Sequence, residues 1–484
     1  MPVSRPRGRG QALYEEVKAR ILDGTYAAGT ALASTRASAA ERGLSRTTVT
    51  AVHEQLAAEG FLETRPGAAS RVAFGAGPAL VPNAARRIGK AAASRLSAFG
   101  QRVAALELAQ PQPAPAGAID FLYGPLAGAD FPTLAWMKAS RQVERERPAR
   151  LAYADPRGDP GLRRALQAYL ARARGISCSV EQLLVVNGSQ QALDLCARLL
   201  VDPGDKVVVE DPGYRMAHHV FTAQGARLHG IAVDRHGLRT DDLARVRQAA
   251  LAYVTPTHQF PLGAFLAMPR RQALLQWAAK TGAWILEDDY DSEYRYAVRP
   301  EASLQSLDDA GSVIYIGTFS KTLSPELRLG YMVVPQRVAE AFASAKRLAD
   351  RHSSSHAQRT LALLLEEGTY ERHVRRVRRA QDARRTALLQ AIDRHLAGQL
   401  TVEGAASGLH LVAWADQLPA SREAELVAAA RRERVLVYPL GALYLPQRAT
   451  AAKRPAGLVL GYALLDPGEI ELGIKRLAVA MRKL

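Results

Sequence analysis

VIYIGTFSKTLSPELRLGY, residues 313–331, joins an apolar run of strand length to a polar turn. Val313 to Ile316 set the strand, so Lys321 falls at or just past its C-terminal end, where open α/β sheets bind ligands. A lysine there can form a Schiff base with a carbonyl compound. Thr318, Ser320 and Arg328 add hydroxyls and a guanidinium able to hold a phosphate beside it. An isolated lysine is more often simply solvated, so the rest of the chain has to decide.

Outward from this stretch, LLVVNG (183–188), KVVVED (206–211), ALAYVTP (250–256), AWILEDD (283–289) and SVIYIGT (312–318) are short apolar runs separated by helical segments. Such alternation predicts an α/β domain around a largely parallel sheet from about residue 119. VVNGSQQALDL (185–195) reads as strand, glycine turn and helix, so the backbone N–H groups of Gly188, Ser189 and Gln190 can cradle a phosphate, unless the turn is only structural. ILEDDYDSEY (285–294) places carboxylates at another strand end, where one can hydrogen-bond the pyridine nitrogen of a pyridoxal ring. Tyr294 stands where a calcium loop needs its glycine, which argues against calcium, and no metal is expected. EDPGYRM (210–216) offers Tyr214 for stacking on a ring. From about Ala357 a long Arg-rich helix leads to strand candidates LHLVAW (409–414), VLVYPL (435–440) and LVLGYA (458–463), a smaller C-terminal α+β subdomain over about 357–484.

The 484 residues exceed what one core accommodates, so several domains are expected. Lys and Arg number 64 against 47 Asp and Glu, a net +17 that favours a polyanionic partner, although only ten of the 64 are lysine and an Arg- and Ala-rich composition has the same effect. Two cysteines, Cys178 and Cys196, cannot build a disulfide framework, and no run reaches the length of a membrane span. A cytoplasmic protein is expected.

At the N-terminus, Ser34 can cap a helix across TRASAAERG, Gly43 closes it, and Ser45 caps a second across RTTVTAVHEQLAAEG. Two helices joined by Gly43–Leu44–Ser45 have the geometry that lays the second in a DNA major groove, and an αα-hairpin with a solvated face is the alternative. Leu13, Val17, Ile21 and Leu22 share one face of a preceding helix, and RPGAAS (65–70) marks a hairpin turn. Residues 1–75 form this module, and the Ala-, Pro- and Gly-rich stretch 76–118 is a linker with one helix possible at 95–108.

The run ALYEEVKARILDGTY with GLSRTTV and LAAEGFLETRPG resembles the GntR family of winged helix-turn-helix domains. That resemblance implies double-stranded promoter DNA contacted by Arg36, Ser45, Arg46, Thr47 and Thr48, and by a wing bearing Arg65, Gly67 and Arg71. Residues 119–484 resemble the fold-type I aminotransferase superfamily in the order glycine turn, aromatic, TPTHQFPLG, EDDYDSEY and SK with a downstream Arg. This implies pyridoxal 5'-phosphate (PLP) bound as a Schiff base at Lys321, Asp288 at the pyridine nitrogen, Tyr290 at the phenolic oxygen and Tyr214 stacked on the ring. Gly188, Ser189, Gln190, Thr318, Ser320 and Arg328 would hold the phosphate, His258 and Gln259 would border the ring, and Tyr153 would reach the cofactor of a second subunit. The two together are similar to the MocR/GabR subfamily of bacterial transcriptional regulators, which implies a homodimer and a small-molecule effector.

Val459 stands where the superfamily has an Arg that grips a substrate carboxylate, and Met216 replaces a basic residue used by some relatives. Little or no transaminase activity is therefore expected. PLP itself is the leading effector, with control of vitamin B6 genes implied by the resemblance to PLP-sensing members. An amino acid or amine held by Arg215 or His258 is the alternative.

Overall fold

Helix caps chosen by the sequence shape the N-terminal unit. The computed structural model describes residues 8–65, 68–76, 96–108, 114–147, 149–150, 152–296, 302–446 and 454–484, and the chain divides into two units, Met1–Arg95 and Leu96–Leu484. In the first, α1 (Arg9–Leu22) packs against α2 (Thr35–Arg42) and α3 (Arg46–Ala58), with strands β1 (Leu62–Glu63) and β2 (Arg71–Val72) paired antiparallel as a short wing. Ser34 Oγ accepts from Ala37 N and Ser45 Oγ from Thr48 N, while Gly43 closes α2 at φ 61°, a backbone that favours glycine. Leu13, Val17 and Ile21 enter the core with Val49, Val52 and Leu56; Leu22, expected on that face, is exposed because it lies at the helix end.

The second unit begins inside the expected linker, with α4 (Ala98–Ala104), whose Arg102 Nε donates to the Ala223 carbonyl at 2.7 Å. There follow β3 (Ile119–Asp120), α5 (Thr133–Arg145), α6 (Pro160–Arg174), β4 (Leu183–Val186), α7 (Ser189–Leu200), β5 (Lys206–Asp211), α8 (Arg215–Gln224), β6 (Arg227–Asp234), β7 (Gly237–Leu238), β8 (Leu251–Val254), α9 (Met268–Thr281), β9 (Trp284–Asp289), β10 (Val313–Thr318) and β11 (Gly330–Val333). One eight-stranded sheet has the order β4-β11-β10-β9-β8-β5-β6-β7, parallel from β10 through β6, with β11 antiparallel to both neighbours. Its central strands are mostly apolar because both faces are covered, while β6 near the edge is only partly buried. Val207 and Val209 join Leu286 and Ile316 under α7 and α8, whereas Val208, Ala252 and Ile285 meet α9 on the other face.

Helices α10 (Gln336–Asp350), α11 (Ser355–Glu366) and α12 (Thr369–Leu396) lead to β12 (Leu400–Glu403), β13 (His410–Pro419), α13 (Glu423–Arg432), β14 (Val435–Leu436), β15 (Tyr438–Pro439), β16 (Pro455–Gly461) and α14 (Pro467–Met481). The long helix expected from Ala357 is two helices, broken at Gly368 with φ 64°. The small subdomain starts later than residue 357: Leu361, Leu365 and Val374 pack in the core of the large sheet, and only from Leu388 does α12 enter the C-terminal core. That core also recruits Ile119 and Phe121, since β3 pairs in parallel with β14. Of the seven Arg in 372–385, four bind other parts of the chain, while Arg372, Arg375 and Arg379 are exposed. Arg376 donates to the Asp130 carbonyl, Arg378 to that of Glu293, Arg385 to that of Ala405, and Arg384 pairs with the Asp130 carboxylate.

Candidate functional site

At the carboxyl ends of the sheet strands lies a cavity of about 470 Å³. β10 ends three residues before Lys321, β9 carries Asp288, the β4–α7 turn contributes Ser189 and Gln190, and the segment after β5 contributes Tyr214. Tyr290, Thr318, Ser320 and Arg328 line it as well, so nine of the expected residues converge on one site. Lys321 Nζ donates to the Gly124 carbonyl at 2.8 Å. Burial lowers its ammonium below the usual lysine value, partly offset by Asp291 and Asp288, which favours the nucleophilic free amine.

The structure separates the two neighbouring aspartates. Asp289 is bound by Arg174 Nε at 3.0 Å, Ser292 Oγ at 2.7 Å and Tyr315 Oη at 2.5 Å. Burial acts to raise its carboxyl, but the Arg174 charge and these donors outweigh it and hold it below the usual carboxylate range. Asp288 faces the cavity, with Oδ2 accepting from Tyr253 Oη at 2.8 Å and buried Oδ1 left without a partner. Burial raises this carboxyl to about 7.

The phosphate end is built on Gly188, whose φ of 76° favours glycine and whose Cβ, if added, would lie 2.8 Å from the Arg328 guanidinium. Arg328, itself at φ 50°, donates to the Asn187 carbonyl at 2.8 Å and so covers the N-terminus of α7. The Gly188 N–H, expected to face the phosphate, donates instead to the Val186 carbonyl at 2.9 Å, which leaves Arg328 and the start of α7 at Ser189 and Gln190 for that group; with Lys321 and the orphaned Asp288 oxygen they fit the phosphate, aldehyde and ring nitrogen of PLP.

Two expected ring contacts, Gln259 and His258, lie elsewhere. Gln259 turns away and staples its own loop, with Nε2 donating to the Pro212 carbonyl at 2.9 Å and Oε1 accepting from Leu262 N at 3.0 Å. His258 sits one layer back, its Nδ1 2.9 Å from both Asp291 Oδ2 and Tyr290 Oη. From that loop it is Phe260 that reaches the cavity wall. Tyr153 is 74% exposed, under Arg351, away from this chain's own cavity. Arg215, weighed as an effector anchor, donates instead to the Ala442 carbonyl.

Sequence reading missed Tyr123, Gly124, Tyr253, Asp291 and His410, all of which line the cavity. His410, a lone histidine in an apolar strand, was the available signal; a backbone carbonyl such as Gly124 leaves none. Val459 is fully buried in an apolar cluster with Phe260 and Val412, behind the cavity wall.

In the N-terminal unit Arg36, Arg46, Thr47 and Arg65 are exposed. The Ser45 and Thr48 hydroxyls lie 2.7 Å apart in the α3 cap, and Arg71 donates through one guanidinium nitrogen to the Gly29 carbonyl. Gly67 lies outside the described residues.

Residues 9–72 match the model of the bacterial regulatory proteins of the gntR family, and residues 123–459 that of aminotransferase class I and II. Over 475 residues the chain is 38% identical to the probable rhizopine catabolism regulatory protein MocR of Rhizobium meliloti, covering 97% of this chain and 92% of that one. The chain belongs to the MocR/GabR group of GntR-type transcriptional regulators. A second relative in this group, the transcriptional regulator TauR of Rhodobacter capsulatus, is 32% identical over 99% of this chain and 98% of its own. The MocR-type C-terminal unit shares its fold with the α-aminoadipate aminotransferase of Thermus thermophilus, solved with a phosphopyridoxyl-leucine adduct, at 30% identity and TM-score 0.67 over 76% of this chain and 93% of that one. The kynurenine aminotransferase of Pyrococcus horikoshii, solved with PMP, gives 27% identity and TM-score 0.70 over 76% and 91%. The regulator's C-terminal unit is thus a pyridoxal-phosphate domain. Among the described residues no helix is long and apolar enough to cross a membrane.

Proposed function

We propose that this regulator binds promoter DNA through its N-terminal unit and uses PLP occupancy at Lys321 as its signal. The observation carrying this reading is that Lys321, Asp288 and Arg328 line one cavity while Val459, at the position the resemblance assigns to a carboxylate-gripping Arg, is buried in an apolar cluster. When bound, PLP supplies an aldehyde for the lysine amine and an electron-withdrawing ring. The burial-lowered Lys321 amine would present its lone pair to the aldehyde, Asp288 Oδ1 would hold the ring nitrogen, and Tyr290 would hold the phenolic oxygen. Ser189, Gln190, Ser320 and Arg328 grip the phosphate, with Thr318 Oγ1 accepting from Ser320 N at 3.1 Å to fix that turn.

Without a charged anchor, a standard amino acid loses a buried charge-assisted pair, which disfavours transaminase turnover. The regulated genes would concern vitamin B6 supply. Exposed Tyr153 would serve the cofactor of a second subunit in a homodimer, giving two DNA-reading units and paired half-sites. Arg46 and Thr47, on the first turn of α3, would read the major groove.

The test is titration of the full-length apo chain with PLP, followed by footprinting on the DNA upstream of its own gene. A visible absorbance band that is lost in Lys321→Ala, and a protected region, are expected; a chain that stays colourless with Lys321 intact refutes the proposal.

A further inference from the structure

Three hydrogen-bond acceptors stand around the Lys321 end of the cavity. The Gly124 carbonyl already accepts a hydrogen bond from Nζ. Asp291, buried and lining the cavity, is held through Oδ2 by His258 Nδ1 at 2.9 Å. His410 places Nε2 3.0 Å from the Pro261 carbonyl, and burial pushes its imidazole down to about 3, so the neutral ring donates there and keeps the Nδ1 lone pair.

His258, Asp291 and His410 have ligand-type atoms within 4.8 Å of one another, which raises a metal site as the rival use of the cluster. His258 already commits Nδ1 to Asp291 Oδ2 and Tyr290 Oη, each at 2.9 Å, and its Nε2 is buried beside Gly408 and Gly263. With Nδ1 taken, His258 acts as a support that aims Asp291.

Cations are scarce on this wall. Among the described residues, Lys321 and Arg328 are the cationic side chains lining the cavity, and Arg328 is stationed over Gly188 at the phosphate end. The remaining surface near His410 is apolar or aromatic, from Tyr123, Phe260 and Leu409. An acceptor-rich corner carrying a carboxylate repels an anion and suits an ammonium, whose three N–H groups need three acceptors.

We infer that the PLP-loaded cavity takes a second ligand, a primary amine with an apolar body and no carboxylate, its nitrogen received by Asp291, His410 Nδ1 and the Gly124 carbonyl. This rests on the reading of the cavity as a PLP site and names Asp291 as the residue that sets specificity. Recognition here is non-covalent, and the body of the amine lies against Tyr123 and Phe260.

The experiment is calorimetry on the full-length PLP-loaded chain with matched pairs that differ only by a carboxylate: 2-phenylethylamine against phenylalanine, and putrescine against ornithine. Each amine is expected to bind at least about tenfold more tightly than its amino acid, and Asp291→Asn to erase most of that preference. Because the wild-type comparison does not depend on the variant, a poorly folding Asp291→Asn leaves the test intact. Amino acids binding as tightly as their amines, or PLP-loaded protein indifferent to both, overturns the inference while leaving the PLP site standing. Zn²⁺ bound by the wild type and not by Asp291→Asn overturns it in favour of a metal. A chain that takes up no PLP removes the underlying reading instead.

Discussion

Replacing Asp288 with Asn should stabilise the apo protein while weakening its hold on PLP. Burial raises the Asp288 carboxyl from its ordinary value of 3.8 to about 7, so between these values the folded chain keeps a proton that the unfolded chain has released. Stability therefore falls as pH rises through that window, at about 1.4 kcal/mol per unit, or about 4 kcal/mol over roughly three units for this group. Asn carries no such penalty, and its carbonyl can still accept from Tyr253 Oη. The difference between Asp288→Asn and wild type should thus grow from pH 4 to pH 7 and level off above it. Thermal unfolding of both apo proteins between pH 4.5 and 8, followed by the transition of the C-terminal unit, measures it; PLP titration at pH 8 should show weaker binding by the variant. A variant that is less stable than wild type at pH 8, or a difference that does not change with pH, refutes the reasoning. Glu210 and Glu287, also raised to about 7 by burial, leave a residual slope of the same sign in both proteins.

Arg46→Ala should weaken DNA binding and reduce the salt slope of log K by about 1 if the contact is to phosphate, read by anisotropy over a salt series. Asp130→Ala removes the carboxylate that pairs with largely buried Arg384, and should cost about 3 kcal/mol in denaturant unfolding of the C-terminal unit. Val459→Arg, attractive from sequence as a way to restore amino acid binding, buries a charge in an apolar cluster; it should cost at least about 3 kcal/mol and yield no amino acid binding by itself.

The strand ends that carry the site were legible because parallel strands covered on both faces must be apolar throughout, and each such run was followed by its chemistry. Strands β6 and β11 were not: RLHGIAVD is only partly buried near the sheet edge and shows no clean apolar run, and GYMV reads as the tail of the lysine turn. The partner that commits the neighbouring Asp289 and leaves Asp288 for the cavity is Arg174, over a hundred residues away and so invisible in the local sequence. His258 and Gln259 were misplaced for the same reason, since the loop's fold turns Phe260 inward and spends Gln259 on backbone groups. Nothing in the Arg-rich run of α12 showed that Asp130 and the Glu293 and Ala405 carbonyls take up four of its arginines, because those partners lie far away in sequence or across a turn. The start of the small subdomain was hidden because its core borrows Ile119 and Phe121 from the far end of the sequence.

The central claim, that PLP held at Lys321 is what the regulator reads, is tested most directly by the affinity of the full-length chain for its own upstream DNA at fixed salt, without and with saturating PLP, for wild type and Lys321→Ala. The account predicts a change of at least about fivefold in the wild type, a coupling on the order of 1 kcal/mol, and none in Lys321→Ala. A wild-type affinity indifferent to PLP, or a Lys321→Ala protein that responds as the wild type does, would contradict it.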